Sequence, residues 1–332
     1  MVLLYIQFFH ETLDKVSTLM PKILVTGGCG FIGANLVPML MEKGYHVRIL
    51  DNLSKGSKEY IKDSNVNIQE GDIRDETIVS NALIGIDVVI HLAAYGSVVE
   101  SVLDPVENFD INTKGTFTVL NACRKANIKQ VIFSSTGGAL IGNAKPPVNE
   151  QSVPKPISPY GSSKLCCEAY CSSFSSSYDM NITALRFANV IGPISSHKKG
   201  AVTAFMKAII NNIPIQIYGD GKATRDFLFV TDLCSGIIKA LDKKLPGFNP
   251  IHLASGREVS VTELAKLIIS IAGKSDHSIN YHDKRIGEVE RNFANYDLAK
   301  ELLEFEPEHS LEDGLKKTWL WFLNENSKNE NT

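Results

Sequence analysis

The strongest constraint on this chain lies between Lys22 and Met41. The run KILVT stops at the glycine cluster GGCGFIG (27–33), and apolar residues then recur with helical spacing at Leu36, Leu40 and Met41. A strand, a tight glycine turn and a helix in that order open a βαβ unit. The turn lets free backbone N–H groups and the positive end of the helix dipole approach a phosphate.

The rest of the first half repeats the theme. Strands are expected at 46–51, 66–72, 87–94 and 130–135, with helices near 75–84 and over 104–126. Nearly continuous apolar strands alternating with helices predict an α/β fold: a Rossmann-type parallel sheet with helices on both faces. The segment 143–159 carries Pro146, Pro147, Pro154, Pro156 and Pro159 and reads as an ordered surface loop, after which Pro159 opens a helix to Tyr178. Beyond the strand 182–187 the elements become less regular: a helix at 201–211, a strand at 215–218, a helix after Asp232, a strand at 250–254, a helix from Ser260 and a last helix at 311–322. Ser260 with Glu263 matches a capping box. These predict a smaller C-terminal α/β lobe, with strands near 182 and 251 returning to the main sheet. The expected division is an N-terminal extension over 1–20, a dinucleotide domain mainly over 21–190, a second lobe mainly over 191–325 and a polar tail over 326–332.

Composition narrows the function classes. A net charge of -3 leaves no basic excess to neutralise nucleic acid phosphates, and 44% hydrophobic residues suffice for a sizeable core. The apolar run before His10 is about eight residues, too short to span a bilayer. The six cysteines show no metal-ligand spacing, so no metal is expected and buried free thiols in a reducing, cytoplasmic setting are the simpler reading.

Gly27, Gly30 and Gly33 make a GxxGxxG pattern, and the N–H groups of Phe31 and Ile32 would face the pyrophosphate from the helix start. Asp51 ends the next strand about 20 residues on, where an acid accepts from ribose hydroxyls. Its charge would repel the extra phosphate of NADP, which favours NAD. Asn52 beside it, Asp72 and Ile73 at the third strand, and Leu92, Ala93 and Ala94 at the fourth complete the expected cofactor pocket.

Tyr160 and Lys164 are i,i+4 and share a helix face, so an ammonium there can stabilise the phenolate and make tyrosine a usable base. Ser134, Ser135 and Thr136 end the fifth strand. One hydroxyl can orient a sugar oxygen against Tyr160, with Thr136 preferred and Ser135 second; strand-end capping is the other use of these groups.

These stretches, with DNLSKG, GDIRD, DPVENFDINTKGTFTVL, SPYGSSK, LRFANVIGP and GDGKATRDFLFVTDL, resemble the extended short-chain dehydrogenase/reductase family over 21–325. Within it the similarity is to the NAD-dependent epimerase/dehydratase group, and nearest to the UDP-glucose 4-epimerases. The resemblance implies bound NAD, a UDP-sugar substrate and a homodimer packed through helices 104–126 and 159–178. It places the base on Tyr160, its partner on Lys164 and the orienting hydroxyl on Thr136, and sets Asn112, Ser134 and Phe187 at the cofactor. Ser97, Asn189, Arg225, Arg285, Glu288 and Asn292 are assigned to the nucleotide sugar. The implied reaction is C4 epimerisation of a UDP-glucose/UDP-galactose or UDP-GlcNAc/UDP-GalNAc pair through a 4-keto sugar.

Dehydratases and decarboxylases of the group carry acids after the threonine; here Gly137 and Gly138 stand there. Asn292, where glucose-restricted members can carry an aromatic residue, leaves room for a 2-acetamido group, and Ile141 departs from a common tyrosine. A UDP-glucuronate 4-epimerase, a nucleotide-sugar dehydratase or dehydrogenase, and a non-enzymatic NAD-bound sensor or scaffold are the alternatives.

Overall fold

The computed structural model describes residues 20–61, 65–285 and 289–329. The expected extension over 1–19 and the last residues of the polar tail lie outside this range. Seven parallel strands form the central sheet: β1 (Lys22–Thr26), β2 (His46–Asp51), β3 (Asn67–Glu70), β4 (Val88–His91), β5 (Gln130–Thr136), β6 (Asn181–Phe187) and β7 (Phe248–Leu253). Their order is β7-β6-β5-β4-β1-β2-β3. Strand order reverses at β1, between β4 and β2, which opens a crevice at the carboxyl ends of the strands. The chain crosses back to add β7 beside β6, in register from Phe248 opposite Ile182 to Leu253 opposite Phe187.

Both faces are covered, as continuous apolar strands require. On one face α1 (Phe31–Glu42) packs with Val230–Lys243, burying Leu36, Leu40, Ile237 and Leu241. On the other, α2 (Glu76–Ala82), α3 (Gly115–Lys125) and α4 (Pro159–Tyr178) bury Val79, Leu120, Cys171 and Phe174. A third cluster, with Phe205, Ile217, Leu264 and Phe322, is the core of the smaller lobe.

The long helix expected over 104–126 is interrupted. An α-helical turn, Pro105–Phe109, passes into a π-helical turn, Asp110–Lys114, before α3 continues. The wider turn holds Asn112. Helix α4 starts as its sequence demands: the Ser158 hydroxyl accepts from Gly161 N at 3.2 Å and Pro159 occupies the first turn. The Ser260–Glu263 capping box is formed in both directions.

Several elements differ from the sequence reading. β3 and β4 are shorter than expected, so Asp72, Ile73 and Leu92–Ala94 lie on the loops after them. A helix at Val98–Leu103 and a turn of helix at Gly138–Ile141 have too few residues to show periodicity. The last helix runs to Asn329, further than the apolar spacing indicated. The 143–158 segment is ordered by backbone bonds from Lys155 N to Ile141 O, Val148 N to Phe293 O and Asn295 N to Val148 O. It closes over the same end of the sheet as the β5 hydroxyls.

Candidate active site

The crevice begins at the glycine turn. Gly27 has φ +71, and a Cβ there would lie 2.7 Å from Ala93 N; one on Gly33 would lie 2.5 Å from Gly27 O. Neither position can take a side chain without moving backbone. Gly30 differs: a Cβ on it would meet only Gly27 O, at 3.3 Å, so its outer side is open. Gly30 also precedes α1 without a side-chain cap. An open glycine before an uncapped helix start is a cradle for an anionic group, and a dinucleotide pyrophosphate fits it.

Asp51 is buried at the rim. Its oxygens accept from Cys29 N at 2.9 Å and Leu53 N at 2.8 Å, and each oxygen retains acceptor capacity for a ribose hydroxyl. Burial and the Asp51 charge together raise the Cys29 thiol to about 11. Asn52 donates to Asp72 at 3.1 Å. Asp72 is engaged more strongly by Arg74, whose guanidinium grips both oxygens at 2.9 Å and holds that carboxyl below its ordinary range. This carboxylate therefore reaches the pocket already paired, a partner that the EGDIR spacing did not suggest. The Ile73 side chain turns into the core against Gly115, leaving its backbone nearest the pocket.

Deeper in, Asn112 ties the π-helical turn to two neighbours. Its Oδ1 accepts from Tyr95 N at 2.7 Å, and its Nδ2 donates to the Ser163 hydroxyl at 2.9 Å. His91, at the end of β4, bridges the hydroxyls of Thr26 at 2.6 Å and Thr116 at 3.1 Å. Burial, then the Lys164 charge, pushes the imidazole down to about 3, so it is neutral at working pH.

The hydroxyls of β5 diverge, as alternation along a strand dictates. Thr136 hydrogen-bonds the Tyr160 phenol, which lowers the phenol pKa against burial, the larger effect, and leaves it at about 12. Ser135 donates instead to Glu168 at 2.6 Å. The Ser134 carbonyl accepts from Lys164 Nζ at 2.7 Å, and that amine lies 4.8 Å from the centre of the Phe133 ring. Burial lowers the lysine pKa. Lys164 and Tyr160 share a helix face, but their hydrogen bonds go to neighbouring groups of β5.

Gly137 and Gly138 follow Thr136. A Cβ on Gly137 would lie 2.9 Å from His252 Nδ1, and one on Gly138 would lie 2.8 Å from Asn292 Oδ1. The two glycines thus admit these side chains against the end of β5. Asn292 is 5% exposed and its Nδ2 finds no partner among the described residues.

The remaining predicted residues have these partners. Phe187 is buried at the end of β6, and Asn189 Nδ2 donates to Asp226 O at 3.2 Å. Ser97 caps the helix Val98–Leu103. Arg225 donates to Thr224 O at 2.7 Å, and the Arg285 guanidinium stacks 3.6 Å from the Tyr218 ring centre. Glu288 lies outside the described residues.

Three groups went unread in the sequence. Glu168 is i,i+4 from Lys164 and faces β5, a spacing that could have shown it. Arg186 lies in β6 among apolar residues. Asp226 accepts from Ser255 N at 2.9 Å and Gly256 N at 3.0 Å, joining two segments of the smaller lobe that are distant in sequence. All six thiols are free, and no helix among the described residues is long and apolar enough to cross a membrane.

Comparison with known proteins identifies the family. The NAD dependent epimerase/dehydratase family matches residues 23–253. The UDP-glucose 4-epimerase of Mycolicibacterium smegmatis is 32% identical over 312 residues, covering 91% of this chain and 99% of that protein. Among solved structures, the UDP-glucose 4-epimerase with UDP-glucose from Thermotoga maritima superposes with a TM-score of 0.88 at 37% identity, covering 92% of this chain and 99% of the other. The UDP-N-acetylglucosamine 4-epimerase from Methanobrevibacter ruminantium, in complex with UDP-N-acetylmuramic acid, gives 0.86 at 33% identity over 92% and 99% of the two chains. With its uncapped glycine cradle, its Thr136–Tyr160 pair and this match along the sheet, the chain belongs to the NAD dependent epimerase/dehydratase family.

Proposed function

We propose that the chain interconverts the C4 epimers of a UDP-hexose, glucose/galactose or the 2-acetamido pair, through a 4-keto sugar. The observation that carries the reading is the Thr136–Tyr160 hydrogen bond one step from Gly137 and Gly138. Tyr160 is the proton carrier in this reading, and the positions after Thr136 are packed by His252 and Asn292 with no added acid for elimination. The 4-epimerase names of the relatives support the same reaction class.

In this reading residues 21–190 mainly hold NAD and 191–325 mainly hold the nucleotide sugar. The Gly27–Gly33 turn and the start of α1 receive the pyrophosphate, Asp51 the adenosine ribose, and Leu92–Ala94, Asn112, Lys164 and Phe187 line the remainder. When bound, NAD supplies the hydride acceptor and donor for C4. The phenolate form of Tyr160, beside the Lys164 cation, takes the C4 hydroxyl proton, and the resulting phenol returns it to the 4-keto oxygen in the reverse half-reaction. The Thr136 hydroxyl donates to that phenolate and holds the sugar oxygen within reach. Lys164, fixed by the Ser134 carbonyl, keeps a cationic donor beside the proton path. Ser135 acts through Glu168 by bracing helix α4. Arg225, Arg285 and Glu288 grip the nucleotide with Ser97 and Asn189, leaving the hexose freer to turn. Asn292, small where an aromatic residue would stand, leaves room for a 2-substituent.

The chain is proposed to act as a homodimer in the cytoplasm, where its free thiols stay reduced. Leu103, Val106 and Phe109 are 80%, 73% and 57% exposed, and Phe117 and Tyr170 extend this apolar face along α3 and α4. Sedimentation at micromolar concentration tests the dimer.

The test of function is separate incubation with UDP-glucose, UDP-GlcNAc and UDP-glucuronate, followed by chromatographic resolution of the C4 epimers. Conversion of a hexose or acetamido sugar without stoichiometric NADH is expected. Conversion of the uronate alone would transfer the proposal to that substrate, and NADH equal to product would replace epimerase with dehydrogenase.

A further inference from the structure

Glu100 lies outside the proton path, yet two loops converge on it. It sits on Val98–Leu103, the helix that follows β4, and is 16% exposed. Lys55, on the loop after β2, reaches its Oε1 at 3.5 Å. Lys199, on the segment after Asn189–Ile191, reaches the same oxygen at 2.6 Å.

Topology gives these bonds their meaning. Strand β1 lies between β4 and β2, so a link from the post-β2 loop to the post-β4 helix passes over the carboxyl end of β1, where the glycine turn opens. The post-β2 arm is seated on that turn: Ser57 N donates to Cys29 O at 3.2 Å, and a Cβ on Gly56 would lie 2.4 Å from Cys29 O. The other arm returns to α1. Lys198 Nζ lies 4.5 Å from the Phe31 ring centre while donating to Val190 O at 2.9 Å, and Asn35 Nδ2 donates to Pro193 O at 3.2 Å. The chain of contacts therefore closes from the glycine turn through Lys55, Glu100, Lys199 and Lys198 back to the first turn of α1.

We propose that Glu100 is a positioning residue that clasps the mouth of the dinucleotide crevice, so that NAD leaves only when the Lys55 and Lys199 contacts open. The inference rests on the cofactor reading of the Gly27–Gly33 crevice. It deepens the proposed reaction, in which NAD stays bound through both half-reactions. Because the Lys199 arm belongs to the segment that follows Asn189, the clasp also makes cofactor retention depend on the position of the substrate lobe.

The test uses the full chain loaded with NAD, with release followed by a coupled dehydrogenase that reduces NAD as it appears. Glu100→Gln removes the charge at constant shape, and release is expected to accelerate about fivefold or more, the scale of losing two partly exposed ion pairs. Added salt should speed release from the parent chain and leave Glu100→Gln nearly unchanged. Lys55→Met should add little in the Glu100→Gln background, since both remove one contact. A Glu100→Gln release rate equal to the parent's overturns the clasp. A full Lys55→Met effect in that background also overturns it and makes Lys55 a direct phosphate ligand. A parent chain that takes up no NAD overturns the cofactor reading itself, which separates the two failures. Melting temperature, measured alongside, exposes a merely structural effect as a fall in stability without the salt signature.

Discussion

The Glu168 carboxylate grips the Arg186 guanidinium through two hydrogen bonds, 3.0 Å from Nε and 2.8 Å from Nη2, with both side chains 5% exposed. The pair joins α4 to β6, and Ser135 on β5 adds a third bond. Tyr160, Lys164 and Glu168 lie on one face of α4, so the pair sets how that face meets the sheet. Glu168→Ala leaves a buried guanidinium without its counter-charge and should lower unfolding free energy by about 3–5 kcal/mol. Urea denaturation measures it; a loss under about 1 kcal/mol would show that the brace is dispensable.

Tyr160→Phe deletes the proton carrier and keeps the ring. Turnover should fall about 10²–10⁴-fold, the usual worth of a positioned acid/base group. Bound NAD per chain, measured after gel filtration, should stay near the parent value. A variant that keeps the parent rate removes tyrosine from the mechanism.

Thr136→Val removes the hydroxyl that lowers the phenol pKa while preserving branching at Cβ. Tyr160 should then ionise less readily, so the alkaline-rising limb of the rate profile moves to higher pH. A pH-rate profile in which only the amplitude changes would mean that the hydroxyl orients substrate without tuning the base.

Two buried imidazoles predict acid sensitivity. His91 and His252 are each held at about 3, by burial first and by the charges of Lys164 and Arg186 second. In the unfolded chain they titrate near 6.5. The unfolded state therefore binds more protons between pH 6.5 and 3, and native stability falls as pH drops through that window, by about 1.4 kcal/mol per unit for each histidine. Urea midpoints between pH 7 and 5 read the slope, and His252→Asn should remove close to one proton of it.

Gly33→Ala places a Cβ 2.5 Å from Gly27 O, so the turn must shift. NAD binding should weaken, with a stability loss of about 1–3 kcal/mol. Calorimetric titration with NAD measures the first; an unchanged affinity would mean that the turn can move without losing its ligand.

Much of this was legible because the determinants are local in the chain. The glycine turn, the apolar strands, the Pro159 helix start and the Ser260 capping box each depend on neighbours within a few residues. The Tyr160–Lys164 spacing carries its own geometry. Arg186 opposite His252 in adjacent strands, Asp72 held by Arg74, and Asp226 joining 255–256 are fixed by tertiary contact, and no periodicity announces them. The glycine pair 137–138 shows both sides: its lack of an acid is readable, whereas its packing against His252 and Asn292 requires the folded chain.

The π-helical turn at Asp110–Lys114 makes the long helix a two-phase object. One added residue offsets the segments on either side by about 100°, the rotation of a single α-helical step. Val106 and Phe109 can thus face outward while Asn112 is buried against Tyr95 and Ser163 and Val119, Leu120 and Cys123 enter the core. Asn108 and Asn112 both aim Nδ2 at the Tyr95 carbonyl, at 3.2 and 3.3 Å, across the start of that offset. A one-residue deletion here would restore uniform winding yet swing one segment out of alignment with the other. Length itself is what this geometry demands of the segment, more than the identity of any side chain on its outer surface.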